Sequence, residues 1–315
     1  MGYKRAGFEV VLANDIDPEM AWHYQKNLHP QHYVLAPINQ LVSKWPANLT
    51  GEIDLLDGSP PCSTFSTTGL REKDWGKKRL FREGQAAQVL DDLFFEFITA
   101  AEVIRPRAII AENVTGLIKG AAKGYVRLIF AQLRSIGYVP QLFVVDASRC
   151  GVPQKRERVF ICARREDVAP GRSLLLSPNL PRVSARAATA DLRLTQLERE
   201  DTVPARCIME YWPITKPGES ASKANQRRGK RGIYFSCCRL DGDRPSPTLV
   251  SSSADSVLHW DEPRLLSARE WMRLSSFPDD YYAKTFRLGR YLTGMSVPPK
   301  MAEVVAAAVR DQWLA

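Results

Sequence analysis

The sequence predicts an α/β fold, a mostly parallel sheet covered by helices and followed by a smaller irregular domain, on three observations. From residue 9 to 163, short apolar runs alternate with amphipathic stretches, the signature of successive β-α units. After Arg165 this alternation is lost, and Pro170, Pro178, Pro181, Pro204, Pro213, Pro217, Pro245 and Pro247 break up the pattern. The chain closes on PPKMAEVVAAAVRDQWLA, where Met301, Val304, Val305, Ala308 and Val309 form a helical stripe that must pack on something. A length of 315 residues with 44% hydrophobic content favours two domains, or one domain with a large insertion.

The elements follow in order. Candidate strands are Glu9 to Ala13, Tyr33 to Ile38, Ile53 to Asp57, Arg107 to Ala111, Leu142 to Val145 and Arg158 to Ala163. A helix begins at Pro18, with Asp17 placed to cap it. Further on, Leu90, Leu93, Phe94, Phe97, Ile98 and Ala101 share one helical face. Val126, Ile129, Phe130, Leu133 and Ile136 share another, stopped by Gly137. Between Asp57 and a helix starting near Gln85 lies a long stretch rich in Gly, Ser, Thr and Lys. Compact domains seldom carry loops beyond roughly 12–15 residues unless they are functional or disordered, so this stretch reads as a mobile lid.

Composition narrows the class. The six cysteines, Cys62, Cys150, Cys162, Cys207, Cys237 and Cys238, form no C-x-x-C pair, which is usage for a reducing compartment. The four histidines, His23, His29, His32 and His259, lack metal-ligand spacing, so no metal site is expected. Three of them lie on or just after the first long helix, where a solvated face is the expectation. No segment has the unbroken apolar length of a membrane span, and MGYKRAGFEV lacks a signal-peptide core. A cytoplasmic protein is expected. The net charge of +9 favours a polyanionic partner. It gathers in two clusters: Lys73, Lys77, Lys78, Arg79 and Arg82, then Arg227, Arg228, Lys230 and Arg231.

In open parallel sheets, ligands bind beyond the carboxyl ends of the strands. Asp15 and Asp17 follow the first candidate strand, Cys62 the third, and Glu112 with Asn113 the fourth. In DLLDGSPPCSTFS, Pro60 and Pro61 stiffen the approach to Cys62. A cysteine that only fills a core needs no such approach, whereas one that presents its sulfur does. Asp15 suits the ribose hydroxyls of a nucleoside cofactor, although the fourteen residues before it contain no G-x-G turn. Cys62 beside Glu112 would put a nucleophile and an acid in one pocket. Arg156 and Arg158 of GVPQKRERVF would approach the same rim, and positive charge there favours the thiolate.

With GSPPCSTFS, AENV, GVPQKRERVF, RPSPTLV, LLSAREWMRLSSFPDDY and GMSVPP in this order, the chain resembles the DNA (cytosine-5)-methyltransferases over nearly its whole length. The resemblance implies a Rossmann-like sheet that uses S-adenosylmethionine, with a smaller irregular target-recognition domain. It divides the chain into a catalytic domain at 1–165, target recognition at 166–260, and a return segment with the closing helix at 261–315. Cys62 would add to C6 of a flipped-out cytosine in duplex DNA, with C5 then taking the methyl group. Glu112 would hold N3 and the exocyclic amine, Arg158 the base oxygen, and Arg156 the lid and a nearby phosphate. Cofactor contacts are implied at Asp15, Ile16, Pro61, Leu93, Asn113 and Ser296, and DNA contacts at Ser63, Ser66, Gln154, Thr248 and Leu249. Double-stranded DNA is the implied partner of a monomeric, nucleoid-associated bacterial enzyme, alongside a separately acting restriction endonuclease. A weaker similarity to the transfer-RNA cytosine methyltransferases leaves an RNA substrate as an alternative.

Three positions depart from the family pattern. Pro37 stands where an aspartate usually meets the adenine amine, and Met295 where an asparagine precedes Ser-Val-Pro. The opening strand and glycine loop are not found ahead of MGYKRAGFEV. A chain without them is expected to leave the sheet unpaired at its centre and to hold the cofactor weakly. In the extreme it would be a DNA-binding relative that transfers no methyl group.

Overall fold

The computed structural model describes residues 1–60, 93–120, 122–231, 237–251 and 256–315, with the backbone of 78–79 and 88–89. The first half of the chain begins with α1 (Gly2–Arg5), β1 (Leu12–Asp15), α2 (Pro18–Leu28), β2 (His32–Leu35), α3 (Ile38–Ser43) and β3 (Leu55–Gly58). A short antiparallel pair follows, β4 (Lys78–Arg79) and β5 (Gln88–Val89). Then come α4 (Leu93–Ile104), β6 (Ala108–Val114), α5 (Ala122–Ser135), β7 (Tyr138–Asp146) and β8 (Glu157–Arg165).

The six candidate strands are all present, shifted by a few residues at their ends. One is much longer than its apolar run suggested, because β7 includes Pro140. That proline is tolerated because β7 is the edge of its sheet, where a missing N–H breaks no inner ladder.

The six candidate strands form two sheet pieces. One has the order β3-β6-β8-β7, and the other pairs β1 with β2 in parallel. β3 runs parallel to β6, whereas β8 runs antiparallel to both of its neighbours. Among the described residues no ladder joins β1 to β3. Asp57 of β3 is bonded there by the Tyr3 hydroxyl of α1.

Helices cover both faces of the larger piece. Phe94, Phe97, Ile98 and Ala101 of α4 join Ile129 and Leu133 of α5 over Ile109, Val159 and Ile161. On the other face Met301, Val305 and Val309 of α12 (Pro299–Val309) pack with Ile110, Phe160 and Cys162. At roughly 1.5–3 kcal/mol per fully buried large apolar side chain, these two layers dominate the stability of the half that carries the site. Two glycines allow close approach. A Cβ on Gly58 would lie 2.5 Å from the Phe97 ring, and one on Gly2 would lie 2.5 Å from Ala302.

The irregular half contains α6 (Ala185–Thr189), α7 (Gln196–Asp201), α8 (Arg206–Met209), α9 (Ala221–Arg227), β9 (Cys238–Arg239) and β10 (Val257–Leu258). α10 (Ala268–Leu274) and α11 (Phe286–Met295) then lead to α12. Ala185, Leu240, Leu249 and Trp260 share one core with Leu266, Trp271 and Leu274, so α10 supplies part of the apolar interior of this half.

Candidate active site

The register of β6 against β8 sets the pocket. Glu112 lies opposite Phe160 and Val114 opposite Arg158, so Glu112 and Arg158 are diagonal neighbours on one face, within reach of long side chains. Arg158 Nε sits 2.9 Å from Glu112 Oε1, and both side chains are 14% exposed. Burial pushes the Glu112 carboxyl above its ordinary range, while the Arg158 charge and a hydrogen bond with Ser59 pull it back. Burial lowers the Arg158 guanidinium, opposed by Glu112. The result is a mostly buried carboxyl group held in a fixed position by a cation.

The same strand end grips the segment leading to Cys62. Asn113 Nδ2 donates to the Pro60 carbonyl at 3.1 Å, and Asn113 Oδ1 accepts from Val114 N. Glu112 and Asn113 therefore bond to Ser59 and Pro60 respectively, immediately before the proline-flanked cysteine. Pro61, Cys62, Ser63, Ser66, the expected lid and the first basic cluster lie outside the described residues, apart from the backbone of Lys78 and Arg79.

The described cofactor candidates lie at strand ends and helix ends. Asp15 ends β1 with an exposed side chain, its Oδ1 accepting from Ile16 N at 2.6 Å and Asp17 N at 2.9 Å. Asp17 caps α2 through Glu19 N and Met20 N, as the division of roles between the two aspartates required. Leu93 opens α4, and Ser296 closes α11 by donating to the Leu292 carbonyl. Pro37 caps α3 without a side-chain bond, and Met295 is exposed beside the Ser251 hydroxyl. An exposed aspartate at a strand's carboxyl end fits the nucleoside half of S-adenosylmethionine.

Other candidates sit elsewhere than expected. Arg156 is 2% exposed and donates to the carbonyls of Leu249 and Gly294 at 3.0 and 3.1 Å, while its charge still acts on Glu112 and Arg158. Gln154 and Leu249, from the expected DNA contacts, are also buried. Thr248 is exposed, and its hydroxyl donates to the Lys155 carbonyl. His23 corrects the solvated-face expectation: it is fully buried, its Nδ1 is 2.7 Å from the Glu19 carbonyl, and its Nε2 accepts from Lys284 N. In the second basic cluster Arg227 is engaged with Glu219, while Arg228, Lys230 and Arg231 are exposed. Among the described residues no group of His, Cys, Asp or Glu could hold a metal ion, and no helix is long and apolar enough to cross a membrane.

With this geometry in place, comparison with known proteins decides the family. The model for C-5 cytosine-specific DNA methylases matches residues 1–311. The chain belongs to that family. The type II methyltransferase M.Eco47II of Escherichia coli is 30% identical to this methylase, over 98% of the chain and 75% of that protein. M.PspPI of Psychrobacter sp. (strain TA137) gives the same identity and coverage. Among solved structures, a candidate DNA modification methyltransferase encoded within an E. coli prophage superposes on the methylase with a TM-score of 0.71. It is 19% identical, with 99% and 94% of the two chains covered. The S. pombe Dnmt2 methyltransferase gives 0.66 at 16% identity, covering 99% and 93%. These likenesses show the Rossmann-type α/β methyltransferase fold.

Proposed function

We propose that this methylase transfers a methyl group to C5 of a flipped-out cytosine in duplex DNA, with Cys62 as the nucleophile. The observation carrying this reading is the Glu112–Arg158 pair, held at one end of β6 beside the backbone that leads into Cys62. S-adenosylmethionine, when bound, supplies an electrophilic methyl group. Asp15 and Ile16 would hold its nucleoside half, with Leu93, Asn113, Ser296 and Pro61 closing around it. None of the pocket groups can reach a stacked base, so the target must leave the duplex, as methyltransferases in general require.

C5 of cytosine is a poor nucleophile. The Cys62 thiolate gives its electron pair to a new S–C6 bond, and the C5–C6 π pair moves toward C5. Glu112 holds N3 and the exocyclic amine while charge builds there, and Arg158 holds the base oxygen. C5 would then take the methyl group with that pair, the methyl–sulfur pair staying with the cofactor's sulfur, which would leave as the neutral thioether. The C5 proton leaves to solvent, the C5–H pair re-forms the double bond, and the S–C6 pair returns to Cys62. Residues 166–260 read base edges, because the catalytic pocket sees only the extruded cytosine.

The test is incubation of duplex DNA, and separately of transfer RNA, with methyl-labelled S-adenosylmethionine, followed by nucleoside analysis. Label in 5-methylcytosine from DNA supports the reading. Label confined to RNA would replace the substrate, and label at another cytosine position would replace the mechanism.

A further inference from the structure

The stretch Pro153–Arg156 is built into the interior from both sides. Ser246 N donates to the Pro153 carbonyl at 3.0 Å, and Lys155 N to the Ser246 carbonyl at 2.7 Å. Leu249 N donates to Gln154 Oε1 at 3.3 Å, while Gln154 Nε2 donates to Ser275 Oγ at 3.0 Å. Gln154 and Ser246 are fully buried. The Arg156 guanidinium forks across two segments, one donor on the Leu249 carbonyl and one on the Gly294 carbonyl at the end of α11. Gly294 in turn touches the backbone of Ser251, where a Cβ would stand 2.5 Å from its nitrogen. Two residues beyond Arg156 on the same backbone comes Arg158, the cation of the pocket.

Among the described residues the Arg156 guanidinium hydrogen-bonds only neutral carbonyls, a poor way to gain stability for a buried cation even with the Glu112 charge acting on it. What the fork does supply is geometry. Two donors at a fixed spacing set two carbonyls from distant segments in one relative position, which an ammonium cannot do.

We propose that Arg156 and Gln154 are positioning residues that set the Ser246–Leu249 loop in register with the Glu112–Arg158 pocket, and so determine how well the enzyme discriminates among DNA sequences. The proposal rests on the reading of residues 166–260 as the part that meets DNA. Loosening the joint leaves phosphate contacts in place, and these carry most of the total affinity, but it blurs the placement of groups against base edges.

The experiment exposes the full chain to a randomised duplex pool and sequences the bound fraction, for the parent, Arg156→Lys and Ser275→Ala. Melting temperature and S-adenosylmethionine binding are read alongside. The parent should enrich one sequence. Arg156→Lys should enrich it roughly tenfold less, the scale of one lost base-pair discrimination, while total DNA affinity stays within about threefold. Ser275→Ala removes only one partner of Gln154; it should shift enrichment the same way, and it decides the matter should Arg156→Lys fail to fold. Unchanged enrichment in folded variants overturns the proposal. A parent that binds DNA but enriches no sequence overturns instead the reading on which it rests.

Discussion

At the residue scale, Glu112 and Arg158 are useful because each keeps the other in place and offsets the cost of burying its charge. Arg158→Met leaves a buried carboxylate without its cation and should destabilise the fold by roughly 3–5 kcal/mol, whereas the double variant Glu112→Gln, Arg158→Met should recover a good part of that. Urea unfolding of the four proteins in this cycle checks it, and additive losses would show that the pair is not coupled. Glu112→Gln alone should lower kcat by about 10²–10⁴-fold with less effect on DNA affinity, the range for a lost general acid-base group. Sequence reasoning located Glu112 and divided Asp15 from Asp17 because strand ends and helix caps are local features. It missed the burial of His23 and Arg156, whose partners Lys284, Leu249 and Gly294 are far along the chain. No local periodicity encodes such a partner.

At the element scale, β3 and α4 meet so closely that Gly58→Ala should push Phe97 aside and cost about 1–3 kcal/mol. A thermal melt reads that loss. In the irregular half, His259 Nδ1 accepts from the backbone N–H groups of Asp261 and Glu262, both at 3.1 Å, which fixes the neutral ring. Burial, aided by the Arg264 charge, holds its pKa down at about 4, although Glu270, Glu262 and Asp261 oppose the shift. The unfolded chain therefore binds more protons than the folded one between about 6.5 and about 4. Stability should fall as pH drops through that window. His259→Asn should flatten this part of the stability profile measured by urea unfolding at successive pH values; an unchanged slope would assign the acid sensitivity to other groups. The elements of the catalytic half were legible because apolar runs and helical faces repeat there. The irregular half was not, since its core is assembled from loop residues such as Leu240 and Leu249 with α10, and no period announces that assembly.

At the scale of the whole molecule, the β3-β6-β8-β7 sheet and the helices on its two faces hold the Glu112–Arg158 pair beside the backbone that leads into Cys62. The central claim, covalent catalysis by Cys62 on cytosine, has a direct test that tolerates slow turnover, since an irreversible trap accumulates with time. Duplex DNA carrying 5-fluorocytosine is incubated with S-adenosylmethionine and the protein, and the digested product is mapped by mass spectrometry. The account predicts a methylated fluorocytosine adduct on the peptide containing Cys62, absent from Cys62→Ser. An adduct on another residue, or one that survives in Cys62→Ser, would contradict it.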